Sequence, residues 1–169
     1  MKVRSLGAIV LVMLVAAVAH ADNVIAATDS AAPFSTYNTY AWTAGTTSPD
    51  PVTERRIHAA VEAQFSGKVI RLAAPDETPD IYVATHVLGR EQKDFVASDF
   101  GSQAVAGSTI DAKSYKPGTL VVDVYDAKTK KMVWRGIAVG IESDKPSKNA
   151  ERIESALTAM FKRYPSLSN

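Results

Sequence analysis

Gly118-Thr-Leu-Val-Val-Asp-Val-Tyr125-Asp-Ala-Lys-Thr-Lys-Lys131-Met-Val-Trp134-Arg-Gly136-Ile-Ala-Val-Gly-Ile141 decides the fold. Two β-prone runs, 119–125 and 132–141, flank a short polar tip, so they must be antiparallel neighbours. Alternation puts Leu120, Val122 and Val124 on one face and Val121, Asp123 and Tyr125 on the other. In the second run Trp134, Gly136, Ala138 and Gly140 share a face, and Val133, Arg135, Ile137 and Val139 share the opposite one. A five-residue tip loop, Ala127 to Lys131, sets Asp123 across from Arg135, whereas a four-residue loop sets it across from Trp134. The first register is expected, because a charge on a partly apolar face needs a partner. Asp126 reads as a turn aspartate capping the backbone.

Gly136 and its small neighbours lie on the Trp134 face, where a helix can approach closely. The final amphipathic run supplies one. Ile153, Ala156, Leu157, Met160, Phe161 and Tyr164 form one stripe after Pro146, ended by Pro165. A first helix opens at Asp50-Pro51, an N-cap followed by a proline at the first helical position. It carries Ile57, Val61 and Phe65 at four-residue spacing and stops near Gly67. Further strands are expected at Val24–Thr28, at Phe34-Ser-Thr-Tyr37-Asn-Thr-Tyr40-Ala-Trp42, and at Ile81–Leu88 after Pro79-Asp80. The fold class expected is a single α+β domain, a mostly antiparallel sheet of four to six strands with two helices packed on one face. Residues 89–117 read as a long connection with no clear element.

The N-terminus carries the address. Lys2 and Arg4 precede an apolar run of fourteen residues from Leu6 to Ala19, followed by Ala19-His20-Ala21. That is the tripartite pattern of a secretory signal peptide, residues 1–21, with cleavage expected between Ala21 and Asp22. The run is short of the roughly 20 residues that span a bilayer. The domain plan is therefore signal peptide 1–21, strand and linker 22–33, and one domain 34–169. The expected address is the periplasm, with no transmembrane span after cleavage. The chain has no cysteine, which removes disulfides, thiolate metal sites and a lipid-accepting cysteine from consideration. Without Lys2 and Arg4 it carries 17 basic and 18 acidic residues, a poor match for nucleic acid.

Catalytic patterns are absent. The two histidines beyond the signal, His58 and His86, have no His-x-x-x-His partner, although Asp80 precedes His86 on the same side of its strand. Ser98, Ser102 and Ser108 lack the Gly-x-Ser-x-Gly elbow. Asp123 and Asp126 point to different sides and do not form a carboxylate pair. Lys128, Lys130 and Lys131 read as charges that keep a hairpin tip soluble. No catalytic, metal or cofactor site is expected. The residues most available to a partner are Val121, Tyr125, Val133, Ile137 and Val139, on the sheet face away from the helices. That motivates an exported, non-enzymatic accessory or binding protein meeting an envelope protein or lipid. A small-ligand or lipid carrier, and a hydrolase using His86 with Asp80 or a loop serine, are the alternatives.

Phe34-x-x-Tyr37-x-x-Tyr40-x-Trp42, Pro79-Asp80-Ile-x-Val83, the Gly118–Gly136 block and Phe161-x-x-Tyr-Pro165, in this order, resemble the bacterial envelope family called domain of unknown function 4136. The resemblance singles out Tyr40, Trp42, Asp80, Gly118, Asp123, Asp126, Trp134, Arg135 and Gly136 as its signature. It implies a fold and a Gram-negative envelope address but no chemistry. Many members look like lipoproteins; a chain without the lipid-accepting cysteine looks like a free periplasmic version.

Overall fold

The computed structural model describes residues 24–88, 118–143 and 145–165. It is an α+β domain with strands β1 (Val24–Thr28), β2 (Thr39–Trp42), β3 (Arg71–Leu72), β4 (Ile81–Leu88), β5 (Thr119–Asp126) and β6 (Met132–Val139), and helices α1 (Pro51–Ser66) and α2 (Asn149–Phe161). The strands form one sheet in the order β1-β6-β5-β4-β2-β3. It is mixed: β2 pairs in parallel with both β3 and β4, and the other pairs are antiparallel. The parallel part follows from chain economy. α1 carries the chain back so that β4 can run beside β2 in the same direction. The expected connection 89–117 lies outside the described residues. Its flanks are joined, since Gly118 N–H donates to Leu88 O at 2.7 Å.

The helices lie on one face, with α2 packed across β6 and β1 and alongside α1. Asp50 caps α1 by accepting from Val52 and Thr53 N–H at 3.1 Å each. Between helices and sheet, Phe65 meets Phe161 edge-on with ring centroids 5.0 Å apart. Trp134, fully buried, lies against Phe161 and Tyr164. Ile57, Val61, Ile81, Val83, Leu120, Val122, Val124, Ile153, Leu157 and Met160 complete this core. Gly136 is needed here. A Cβ on it would stand 2.5 Å from the Trp134 ring and 3.1 Å from Met160 Sδ. The small residue thus makes room for the indole of its own strand as much as for α2.

Several boundaries differ from expectation. Phe34–Thr36 is a 3-10 turn rather than strand. Its Thr36 bonds back to Pro33 O, and Phe34 packs edge-on against Tyr37 and Tyr164. The strand begins only at Thr39. β3, two residues long, has no period to detect. α1 ends at Ser66 with Gly67 as its cap, where expected, but Gly67 keeps a right-handed φ of −64°. The left-handed residue is Val69 (φ 61°), whose N–H reaches Ser66 O while Ile70 N–H reaches Phe65 O, a Schellman-type closure built on a β-branched residue. β6 stops at Val139. Gly140 turns with φ 82°, and Gly118 O accepts from both Gly140 and Ile141 N–H.

The hairpin tip carries the main correction. Asp126 N–H donates to Lys131 O, leaving Ala127 to Lys130 as a four-residue loop, not five. Asp126 Oδ1 accepts from Lys128 and Thr129 N–H, as a turn aspartate should. Asp123 nevertheless faces Arg135, because a β-bulge shifts the register between Val124 and Tyr125: Tyr125 pairs Met132, Val124 pairs Trp134, and Val133 is the extra residue. The bulge also reverses the parity of one side chain. Val133 joins the helix-side core and Met132 takes the position on the second face beside Tyr125 and Ala84. Val133 therefore leaves the candidate interaction face. Val121, Tyr125 and Ile137 stay on it but are buried, and Val139 is partly buried.

Candidate functional site

The second face holds a buried polar line across adjacent strands. Asp123 sits on the central strand β5, a position that apolar neighbours make costly for a lone charge. Arg135 on β6 lies directly opposite it. The two form a bidentate pair, Nε to Oδ1 and Nη2 to Oδ2, each 2.6 Å. His86 pairs across β4–β5 with Val121 and so lies diagonally from Asp123, its Nε2 at 3.5 Å from Oδ2. Tyr125, two residues along β5, donates its hydroxyl to the same oxygen at 3.2 Å. On the far side of β4, Thr46 bridges to His86. Its N–H donates to His86 Nδ1 at 3.1 Å, and its Oγ1 is also 3.1 Å from that nitrogen.

Burial pushes the Asp123 carboxyl upward, but its bonds from Arg135 and His86 outweigh that and hold it below the usual carboxylate range. The neutral imidazole that accepts Thr46 N–H at Nδ1 carries its proton on Nε2, facing Asp123. Thr46, His86 and Asp123 follow one another as nucleophile, base and carboxylate do in a hydrolase. The bonding does not serve that chemistry. The Nδ1 lone pair is already met by a backbone N–H, and both Asp123 oxygens are taken by Arg135. Both His86 and Asp123 are buried.

Asp80 does not join His86. It stands before β4, six residues and about 20 Å of strand away. There its Oδ2 accepts from Asn38 N–H, Thr39 N–H and Thr39 Oγ1 at 2.9–3.0 Å, pinning the start of β2. Asp126 Oδ2 accepts from Tyr37 at 2.9 Å, tying the 3-10 turn to the hairpin. Tyr40 is buried, stacked on Phe65. Trp42 is partly buried and stacks flat on His58, ring centroids 4.0 Å apart, with His58 Nε2 at 3.1 Å from Glu54. His58 is thus half-sheltered. Gly118, with φ 76°, has a backbone that a side chain would strain. No group of three or more metal-ligating side chains occurs among the described residues, and no described helix is long and apolar enough to cross a membrane.

Sequence reasoning found the Asp123–Arg135 pair but not Thr46 or the joining of His86 to Asp123. A histidine between Ala84 and Leu88 on a strand face was the available signal. For Thr46, in a loop, there was none. A cavity of about 380 Å³ lies elsewhere, at the end of β6 and the start of α2, between Val24, Ala138, Ile141, Lys148, Arg152 and Ala156.

These features define a helix-backed mixed-sheet domain whose second face is organised around a buried Asp–Arg–His cluster. The chain belongs to the family described as Domain of unknown function (DUF4136), whose model matches residues 24–166. A crystal structure of a DUF4136 family protein from Bacteroides thetaiotaomicron VPI-5482 is similar at 15% identity and a TM-score of 0.62, over 86% of this chain and 97% of that one. A PelC dodecamer from Paraburkholderia phytofirmans is more distant, at 11% identity and a TM-score of 0.44, over 81% of this chain and 95% of that one. No curated protein sequence matches the chain.

Proposed function

We propose that this is an exported periplasmic protein without enzymatic activity, an accessory or binding subunit of the Gram-negative envelope that meets its partner through the partly exposed margin of the second sheet face, at Ala27, Tyr82 and Val139. The observation that carries the reading is the bonding of the polar cluster. It spends the side chains that a catalyst would need free on holding strands β4, β5 and β6 together, and leaves a stiff platform. The tripartite leader at residues 1–21 supports the address. A binding platform benefits from a buried charge pair that fixes strand register, since a one-residue slip would turn its whole face over.

The test is photo-crosslinking in cells from position 82, where Tyr82 is half-buried on that face, followed by mass spectrometry of the envelope fraction. One dominant envelope protein is the expected product. Crosslinks spread over abundant proteins, in no excess over a probe at the exposed Glu62, would overturn the reading.

A carrier of a small amphiphile is the second reading. The 380 Å³ cavity beside Lys148 and Arg152 favours it, being within the usual range for ligand pockets. Solvent extraction of the purified protein separates the two: a stoichiometric small molecule supports the carrier.

A further inference from the structure

We infer that β1 is the docking edge for a second copy of this chain, paired antiparallel strand to strand about a two-fold axis at Ala27. β1 is an outer strand of the sheet. Asp29 N–H donates to Val133 O, and Asp29 and Val133 are in register. The hydrogen-bonded pairs with β6 therefore involve Ile25, Ala27 and Asp29, and the backbone groups of Val24, Ala26 and Thr28 point outward. Arg163 takes the Val24 carbonyl with its guanidinium. Ala26 and Thr28 are left with outward N–H and C=O groups and no backbone partner among the described residues.

Edges of this kind are normally blunted by lysine, proline, a bulge or an inward charge. Val-Ile-Ala-Ala-Thr has none of these, and its Ile25 is 55% exposed. The opposite edge is blunted. β3 has only two residues, and the first of them, Arg71, is held by Glu77 through two bonds of 2.6 and 2.7 Å. A head-to-tail array from β1 to β3 is therefore disfavoured, while an isologous pair of β1 strands is open.

Arg163 also sets the register. A two-fold at Ala26 or Thr28 would spend a pairing position on the occupied Val24 carbonyl or run past the strand end. A two-fold at Ala27 pairs Ala26 with the partner's Thr28, and Thr28 with the partner's Ala26, using every free position. Val24, carrying the Arg163 guanidinium, then lies against the acidic end of the other strand at the partner's Asp29. The charges are complementary at both ends.

Ala27 faces its own symmetry mate in a non-hydrogen-bonded pair, with Cα atoms about 4.5 Å apart. The protein, expressed from its full-length gene and purified, is followed by sedimentation across concentration, and a dimer is expected. The chain has no cysteine, so Ala27→Cys gives a clean readout: oxidation should link the dimer, and Thr47→Cys in an exposed loop should not. Ala27→Glu and Ala27→Lys should each sediment as monomers, and their equimolar mixture should recover the dimer. The mixture also guards against misfolding, since unfolded chains would not recover it. A wild-type monomer at several hundred micromolar, an Ala27→Cys protein that links no better than Thr47→Cys, or Ala27→Cys trapped in cells on a different protein would overturn the inference.

Discussion

Asp123 and Arg135 meet face to face inside the sheet although the loop joining their strands is one residue too short to bring them opposite each other. The bulge at Val133 supplies the missing residue. Without it, Arg135 would slip past its partner and the carboxylate would be buried alone.

Arg135→Leu leaves that charge uncompensated and should destabilise the domain by about 3–5 kcal/mol. The double replacement Asp123→Leu with Arg135→Leu should recover much of the loss. Urea denaturation of the two single variants and the double variant checks this; an additive double variant would contradict it.

The acid limb of stability should report the same pair. The folded-state value of Asp123 is depressed, so its contribution is complete above the unfolded aspartate value of about 3.9 and is lost as pH falls through the folded value. Asp126 is lowered too, its burial being outweighed by bonds from Thr129, Tyr37 and Lys128. Unfolding free energy should be level above about pH 5 and fall steeply below pH 4. In Asp123→Leu/Arg135→Leu that slope should be shallower.

At the alkaline end three tyrosines resist ionisation. Burial raises Tyr37, helped by its bond to Asp126, and raises Tyr164; it raises Tyr40 to about 12. A group raised on folding favours the native state until pH climbs past its unfolded value, about 10 here, and then withdraws that stability. Absorbance at 295 nm should rise in step with loss of near-ultraviolet circular dichroism. Full tyrosinate absorbance in a still-folded protein would refute this.

Val69 sits at φ 61° and is 79% exposed. A β-branched residue there is strained and gains little contact. Val69→Gly should stabilise by about 1 kcal/mol, raising the melting temperature by roughly 2–4 °C.

Gly136→Ala should act oppositely. The added methyl collides with the Trp134 ring, and a cost of about 1–3 kcal/mol is expected in denaturant melts.

The hairpin, both helices and the two-faced logic of β4 and β5 were legible because each carries a period or a cap that the backbone enforces. Asp126 was readable as a turn residue for the same reason. The bulge was not. Nothing in Met132-Val133-Trp134 says which residue is supernumerary, and only the competition between a four-residue turn and a buried charge pair decides it. Val133 was misplaced for that reason. His86, on β4, and Thr46, in a loop, come together from positions 40 residues apart, and local spacing carries no trace of such a meeting. Phe34–Thr36 was misread because an aromatic run satisfies a 3-10 turn as readily as a strand when its rings have a core to fill.

Leu88 and Gly118 are hydrogen-bonded neighbours, so the 29 residues between them in sequence begin and end at one point of the sheet. Closing a longer excursion costs only about 0.6 kcal/mol per doubling of length. Chain length is therefore nearly a free variable at this position. A longer or shorter connection here would leave β4 and β5 in register, so the Leu88–Gly118 hydrogen bond is a junction at which residues can be added or removed without altering the sheet.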